Sequence, residues 1–250
     1  MKTAWIIMQK EIKENILTPK GVLWYMLTST ILSILSYLFL TNSELSLLDQ
    51  GQMLYMIMNF ISVLGVLIGI VFGTDALAGE IERGTIEALF LSPLKKNELI
   101  TGKLGATIAN WGIIFTISLP YLFVVGKGAQ NLLVGVIYLA IIGMLLTIIF
   151  SAFSMGLSAR IKSMKNSLII SFFIFLLSGS PIFLSAAMRK TWFGSIFYII
   201  NPFADAINTF DSVVIDTQGF NYQASRIAII CSYTLLSLWF LRRSVSKLEM

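Results

Sequence analysis

The sequence has no histidine and only one cysteine among its 250 residues. Without histidine, a Ser–His or Cys–His pair cannot activate a nucleophile, and no metal site can be built on imidazole. The one cysteine, Cys231, has no partner for a disulfide within the chain. These absences exclude histidine-dependent hydrolysis, histidine-bound metals and a disulfide scaffold.

Charged residues are also scarce, at 12% of the chain, whereas 56% of the residues are hydrophobic and the mean hydropathy is +0.83. Long runs nearly free of charge recur, and each could cross about 30 Å of hydrocarbon as a helix. The runs lack the alternation of a barrel strand, and lipid requires every backbone polar group to be paired internally. The predicted fold class is therefore an all-α polytopic membrane protein.

The uncharged runs define six predicted transmembrane helices. They cover about 21–41, 51–73, 104–125, 131–158, 166–187 and 226–241. The segments between them alternate sides, and one side holds 14 of the 18 Lys and Arg residues. The positive-inside rule places that side, with both termini, in the cytoplasm of a multi-pass cell-membrane protein. The net charge of +5 then reflects orientation in the lipid bilayer, and no nucleic-acid partner is predicted.

The first 18 residues are predicted to form a helix outside the membrane spans. Trp5, Met8, Ile12 and Ile16 repeat at helical spacing, with charged residues on the rest of the wheel. This pattern is typical of an amphipathic helix at the cytoplasmic interface. Residues 19–250 are then expected to form a single transmembrane domain.

A second helical insertion is predicted in the exterior segment 188–225, before the last span. Asn201-Pro202 marks a turn there. Apolar residues between Phe203 and Val214 then repeat at helical spacing. The pattern leaves open whether this piece lies on the outer leaflet or re-enters the membrane.

The interiors of the predicted spans contain no Lys, Arg, Asp or Glu. Ion-coupled carriers and intramembrane aspartyl enzymes need such groups at membrane depth, so neither class is favoured. No catalytic residue is predicted, and the chain is expected not to be an enzyme. Asn59 and Asn110 are the candidates for a substrate path without charges, which would suit an amphipathic or hydrophobic cargo such as a peptide, drug or lipid.

Small residues form ladders on two spans. Gly65, Gly69 and Gly73 lie on one face of the second span, and Gly105 and Gly112 lie on the third, with Ala109 between them. Such ladders allow helix backbones to approach closely. They indicate either a dimer interface or hinge, or packing within one subunit.

The predicted cytoplasmic loop 74–103 combines charge and apolar character in a short stretch. Its central residues read AGEIERGTIEALFLSPLKKNELITGKL. A short helix is predicted over about 85–91, with Ile86, Leu89 and Phe90 on one face and ionic residues on another. Such a helix could dock into a groove on a cytosolic partner, or its ionic face could simply be solvated.

This loop resembles the cytoplasmic loop of type-2 ABC-transporter permeases, the efflux-permease family. The matching positions are Gly79, Glu80, Glu82, Arg83, Gly84, Thr85, Glu87, Pro93, Gly102 and Lys103. The resemblance implies that the loop is a coupling helix seated in a cleft of an ATP-binding subunit. It implies charge contacts from Glu80, Glu82, Arg83 and Glu87, apolar contacts from Ile86, Leu89 and Phe90, and a helix start at Gly84 and Thr85.

The resemblance also implies partners. The chain has no G-x-x-x-x-G-K-[ST] motif, so ATP and Mg²⁺ are expected on a separate ATPase subunit and no cofactor is expected here. Two ATPase copies and a second permease, identical or not, are implied, and export is the implied direction. The alternative is a membrane scaffold or immunity-type protein whose loop binds a cytosolic partner that is not an ATPase.

Overall fold

The computed structural model describes residues 2–41, 49–86, 95–180 and 191–248, and every secondary-structure element in these ranges is helical. In chain order the helices are α1 (Lys2–Leu17), α2 (Pro19–Thr41), α3 (Gln50–Thr74), α4 (Lys96–Val125), α5 (Leu132–Ile161), α6 (Met164–Gly179), α7 (Trp192–Ile199), α8 (Pro202–Val214) and α9 (Phe220–Ser246). A π-helical segment, Asp75–Gly79, and a short α-helical turn, Glu80–Glu82, continue α3 without a break. The predicted all-α fold class is confirmed for these residues.

Five of the described helices are long and apolar enough to cross a membrane. They are α2, α3 with its extension to Glu82, α4, α5 and α9. Helix α6 is apolar but has 16 residues. The predicted span 166–187 continues beyond α6 into residues outside the described ranges. The chain is thus a multi-pass membrane protein, and the count of six spans stays a prediction.

Two helices reach further toward the charged loop than the sequence pattern predicted. Helix α4 begins at Lys96, not near 104, so Lys103 lies within the helix. Helix α3 and its extension continue to Glu82, past the predicted end at 73. The reason is that charged side chains at these ends have partners, Glu80 with Lys103 and Asp75 with Lys20, so a charge does not force the helix to stop.

Helix α3 packs at the centre of the bundle, and its glycines face the neighbouring helices of the same chain. A Cβ atom on Gly65 would overlap the indole of Trp111 on α4. On Gly69 it would lie 2.9 Å from Cγ2 of Thr147, and on Gly73 2.7 Å from the Ser151 carbonyl oxygen, both on α5. These contacts favour the packing interpretation of the glycine ladder over a dimer interface.

The N-terminal helix predicted over 1–18 is present as α1, and a sharp corner joins it to α2. Pro19 opens α2, and the carbonyl and hydroxyl oxygens of Thr18 accept hydrogen bonds from the N–H groups of Val22 and Gly21 at 3.0 and 3.3 Å. A Cβ atom on Gly21 would overlap the Asn15 carbonyl, so the corner requires glycine. The turn directs α1 back across the end of the bundle.

Helix α1 rests directly on α4. A Cβ atom on Gly102 would lie 2.8 Å from the Ala4 carbonyl oxygen, and one on Gly105 would lie 2.6 Å from the sulfur of Met8. Small residues on α4 therefore permit a close approach. Trp5, on another side of α1, is 57% exposed. Its placement at the membrane interface remains a prediction.

Within the segment predicted to be an exterior insertion, α7 and α8 form a helical hairpin that packs on the bundle through α8. Asn201 caps α8 by accepting hydrogen bonds from the N–H groups of Phe203 and Ala204 at 2.9 and 3.2 Å, which confirms the predicted turn. Phe203 packs edge-to-face on Phe175 of α6, which packs in the same way on Phe150 of α5. Because Phe150 lies well inside the 30-residue α5, the turn reaches deep between the helices.

Candidate functional site

The first part of the predicted cytoplasmic loop, from Asp75 to Glu82, continues α3 as a helix. Asp75–Gly79 forms a π-helical segment, a local widening of the helix that is frequent at functional sites. A Cβ atom on Gly79 would overlap the carboxylate of Asp75 and lie 3.2 Å from the Arg83 guanidinium. Glycine at this position therefore lets the Asp75 side chain lie against the helix and reach Arg83.

The extension ends in a glycine C-cap. Gly84 has φ of +68°, a left-handed conformation that glycine adopts at little cost. The N–H groups of Gly84 and Thr85 donate to the carbonyls of Ile81 and Glu80 at 3.1 and 3.0 Å, which is the Schellman pattern. The Thr85 hydroxyl also donates to the Glu80 carbonyl, at 3.2 Å. Gly84 and Thr85 thus close the preceding helix, whereas most of the helix predicted over 85–91 lies outside the described residues.

A buried ion cluster lies beneath this extension. Lys103 Nζ is 2.5 Å from Glu11 Oε1 and 3.0 Å from Glu80 Oε2, and the latter contact is an ion pair without hydrogen-bond geometry. The Lys103 side chain is only 1% exposed. Burial raises the pKa of the Glu11 carboxyl, and the neighbouring Lys103 ammonium opposes that rise. One ammonium therefore joins α1, α4 and the α3 extension.

A second set of ion pairs surrounds the cluster at the surface. Asp75 binds Lys20 of α2 at 2.8 Å and Arg83 at 3.6 Å. Lys10 of α1 lies 3.8 Å from Glu80. These pairs are partly exposed, and each contributes little to stability by itself. Together they place basic side chains from α1 and α2 against the acidic side chains of the extension.

Glu82 connects the extension to a further helix. Its carboxylate accepts a hydrogen bond of 2.7 Å from the backbone N–H of Met164, the first residue of α6. A carboxylate at a helix N-terminus satisfies an unpaired N–H group and is favoured by the helix dipole. Polar contacts thus join the segment from Asp75 to Thr85 to α1, α2, α4 and α6, and Leu77 also packs in a buried apolar cluster with residues of α1, α4 and α5.

The structure divides the predicted coupling residues into three groups. Glu80 is 4% exposed and paired within the chain. Four residues are exposed at the tip of the extension, and together we call them the exposed ridge: Glu82, Arg83, Gly84 and Thr85. Ile86, beside the ridge, is half-buried. Glu87, Leu89 and Phe90 lie outside the described residues. Arg83 is paired with Asp75, at 3.6 Å, within the described residues.

Sequence reasoning missed the residues that hold the ridge in place. Glu11 and Lys20 were not singled out, because each is far from the motif in the chain. Asp75 lies close to the motif but matches none of its positions. Lys103 belonged to the motif but was assigned no partner. The available signal was charge balance: Lys103 needs an acidic partner if its helix is buried, and Glu11 interrupts an otherwise apolar face of α1.

A polar cavity of about 380 Å³ opens beside the ion cluster. It lies between α1 and the α3 extension, and Lys20 closes one side. Acidic and basic groups both line it, including Glu14, Asp75 and Arg83. Because its lining carries charges of both signs, the cavity is a polar seam between two elements and not a site that selects one charge.

The two asparagines predicted for a substrate path occupy different surroundings. Asn110 is buried on α4, and its Oδ1 accepts a hydrogen bond of 3.0 Å from the Tyr25 hydroxyl. Asn59 on α3 is half-buried, and its Oδ1 has no hydrogen-bond partner among the described residues. The structure does not bring the two together in a described cavity, so their role stays a prediction.

A bundle of long apolar helices, with a polar ridge held rigidly at one end, defines a polytopic membrane protein with a candidate docking surface. Comparison with protein families identifies it further. The chain belongs to the family described as ABC-2 family transporter protein, whose match covers residues 5–245. The resemblance seen in the loop is therefore confirmed over nearly the whole chain, and the protein is an ABC-2 membrane component. No individually curated protein matches the chain closely.

Proposed function

We propose that this chain is the transmembrane permease subunit of an ATP-driven exporter, with ATP hydrolysed by a separate subunit. The observation that carries the proposal is the exposed ridge, Glu82 to Thr85, at the tip of a helix that continues unbroken into the centre of the bundle. Family membership supports it, because a membrane component of an ABC transporter needs an energy source outside its own spans.

The ridge is the surface offered to the ATPase. Glu82 and Arg83 make the charge contacts, and Ile86, with Glu87, Leu89 and Phe90 after it, completes the helix seated in the ATPase cleft. Glu80 has a different role, because it is buried and paired with Lys103. It holds the ridge to α1 and α4 and does not touch the partner.

Coupling in this arrangement is mechanical. When the ATPase subunits close on ATP, the ridge is displaced, and the α3 extension carries that displacement into α3. The Lys103 cluster and the Glu82 contact to Met164 pass it to α1, α4 and α6 as well. No residue of this chain needs to do chemistry.

The proposed assembly contains two permease subunits and two ATPase subunits in the cell membrane. ATP and Mg²⁺ bind only to the ATPase subunits. Each permease has six spans, with α6 as the fifth, and both termini lie in the cytoplasm. The distribution of basic residues supports this orientation. The cargo is amphipathic or hydrophobic, which fits a bundle with few charges in its interior.

The experiment is a double substitution on the ridge. Glu82→Ala with Arg83→Ala is expected to lower the ATPase activity of the reconstituted complex several-fold in the presence of cargo, because the ridge loses its two charged contacts. Insertion into the membrane should be unchanged. ATP turnover of proteoliposomes that contain the permease and its co-purifying ATPase measures the effect.

The matched control is Asp216→Ala with Gln218→Ala, a pair of exposed polar residues that follow α8. It should leave ATP turnover as in the wild-type complex. Unchanged transport in the Glu82, Arg83 double variant would remove the ridge from the mechanism. Purification of an active protein that never associates with an ATPase would favour the scaffold alternative.

A further inference from the structure

An apolar cleft of about 470 Å³ lies between α5, α6, α9 and the α7–α8 hairpin. Four phenylalanines form much of its wall: Phe150, Phe153, Phe197 and Phe240. Leu177 and Leu236 also line it and are 48% and 58% exposed, so the cleft opens at the outer surface of the bundle. In a membrane this surface meets hydrocarbon chains as apolar as leucine, so a lipid chain can enter the cleft from the side.

Basic side chains border one end of the cleft. On α5, Arg160 follows Phe153 by seven residues, which is two helical turns. Its guanidinium carbon lies 4.6 Å from the centroid of the Phe240 ring, and that ring stacks on Phe153 at 5.3 Å. On α9, Arg243 and Lys247 follow Phe240 at i+3 and i+7, so they lie on the same side of the helix. All three basic residues are exposed, and together we call them the basic rim.

The charges of the basic rim are not neutralised within the described residues. The Arg160 Nε–H donates to the Ser244 hydroxyl at 2.9 Å, which holds the guanidinium in place. No ion pair within 4 Å joins a residue of the rim to a carboxylate in the described ranges. The carbonyl end of α9 would repel an anion. It is covered by the Lys96 ammonium, which donates to the carbonyls of Ser246 and Leu248 at 3.1 and 2.9 Å.

The cleft and the rim together have the height of one lipid leaflet. Tyr233 lines the far end of the cleft, and Arg243 follows it by ten residues, about 15 Å along the axis of α9. That is half of the roughly 30 Å hydrocarbon core. Trp239 is 57% exposed, and the Arg243 guanidinium carbon lies 5.4 Å from its ring centroid. Because tryptophan is enriched where headgroups meet chains, the rim lies at headgroup level and the cleft beside the chains of the same leaflet.

We infer that the cleft and the basic rim bind an anionic phospholipid, whose phosphate lies at Arg160, Arg243 and Lys247 and whose acyl chain lies among the phenylalanines. The inference goes beyond the proposed function, because this lipid is a bound component of the membrane and not the cargo. The bound lipid bridges α5, α6 and α9 at the place where the hairpin packs on them. Only the assignment to the cytoplasmic leaflet rests on the orientation proposed above.

Other occupants satisfy one part of the site and not the other. A zwitterionic lipid fills the apolar wall, but its own cation competes for the phosphate and its net charge is zero. Inorganic phosphate, or an acidic surface of the ATPase, meets the rim and leaves the cleft empty. A cationic amphiphile places its charge beside two guanidinium groups and an ammonium group. An anionic phospholipid satisfies both parts, because basic groups at headgroup depth attract its charge and hydrogen-bond its phosphate.

The test compares two lipids with the same chains, dioleoylphosphatidylglycerol and dioleoylphosphatidylcholine. Native mass spectrometry of the purified full chain in detergent, titrated with an equimolar mixture, gives the affinity for the first bound molecule of each. Wild-type protein should prefer phosphatidylglycerol. Arg160→Gln with Arg243→Gln should weaken phosphatidylglycerol binding at least about fivefold and leave phosphatidylcholine binding unchanged.

The matched control is Arg242→Gln with Lys165→Gln. It removes the same charge from two exposed residues near the same end of the bundle that lie on other sides of α9 and α6. This pair should keep the wild-type preference, and so should Arg160→Lys with Arg243→Lys. Leu236→Trp places a larger side chain in the cleft wall and should weaken the binding of both lipids.

Equal affinity of the wild-type chain for the two lipids would overturn the inference, as would equal losses in the rim and control pairs. Binding that Leu236→Trp leaves unchanged, or that millimolar inorganic phosphate abolishes, would show that the cleft holds no chain and would also overturn it. Thermal unfolding without added lipid shows whether each variant folds. Lys247→Gln removes a rim charge that has no described side-chain contact, and it keeps the test open if the Arg160, Arg243 pair does not fold.

The lipid assay contains no ATPase, so its outcome is separate from that of the proposed function. Loss of the lipid preference with ATPase association intact would reject only this inference, and failure to associate with an ATPase would reject only the proposed function. If the Arg160→Gln, Arg243→Gln pair lowers ATPase association and leaves lipid binding unchanged, the rim is an ATPase contact and the inference fails.

Discussion

Lys103 shows how a single residue decides the geometry of the ridge. Its ammonium is almost completely buried between Glu11 and Glu80, which come from segments 92 and 23 residues away in the chain. The sequence marked Glu80 and Lys103 as parts of one motif. It could not indicate that Glu80 points inward, because an acidic residue in a loop is usually solvated and only the position of α1 makes this one buried.

Removal of the Lys103 ammonium should therefore be costly. Lys103→Ala leaves two buried carboxylates without their cation, and the free energy of unfolding is expected to fall by about 3–5 kcal/mol. Thermal unfolding of the purified protein in detergent measures the loss as a lower Tm. The triple variant Lys103→Met, Glu11→Gln, Glu80→Gln should recover much of it, because no uncompensated charge remains. A Tm for Lys103→Ala equal to that of the wild type would contradict the buried cluster.

At the scale of elements, the existence of the long helices was predictable and their packing partners were not. The uncharged runs predicted the bounds of α2, α3, α4, α5 and α9 to within a few residues at most ends. This is possible because the thickness of the hydrocarbon core and the helical rise per residue are the same for every span. The burial of α8 could not be predicted. An amphipathic pattern shows only that one face avoids water, and lipid and protein interior satisfy that face equally.

The glycine ladder gives a prediction at this scale. Gly73→Ala places a Cβ 2.7 Å from the Ser151 carbonyl oxygen, so α3 and α5 must separate, and the free energy of unfolding should fall by about 1–3 kcal/mol. Gly112→Ala on α4 is the matched control, because its Cβ would meet nothing within 4 Å. It should be neutral or slightly stabilising, since alanine is the better helix former. Equal Tm shifts in the two variants would contradict the described packing of α3 on α5.

At the scale of the whole molecule, three contacts connect the exposed ridge to the α7–α8 hairpin. The exposed ridge is continuous with α3, α3 is packed tightly against α4 and α5, and helix α8 of the α7–α8 hairpin packs on α3, α5, α6 and α9. Under the proposed function, a displacement of the ridge would reach the hairpin through these contacts. The loop motif predicted the ridge, and the apolar repeat between Phe203 and Val214 predicted helix α8. The connection between them could not be predicted, because it depends on contacts between segments that are far apart in the chain.

Photo-crosslinking from the ridge in living cells shows whether the ridge docks on an ATPase. A photoreactive amino acid in place of Arg83, with the same change at Asp216 as the control, is activated with the protein in its own membrane, and the crosslinked partners are identified by mass spectrometry. If the ridge docks on an ATPase, Arg83 captures a protein with a G-x-x-x-x-G-K-[ST] motif and Asp216 does not. Capture of that ATPase from Asp216 and not from Arg83, in cells whose transport is active, would show that the ridge is not the docking surface.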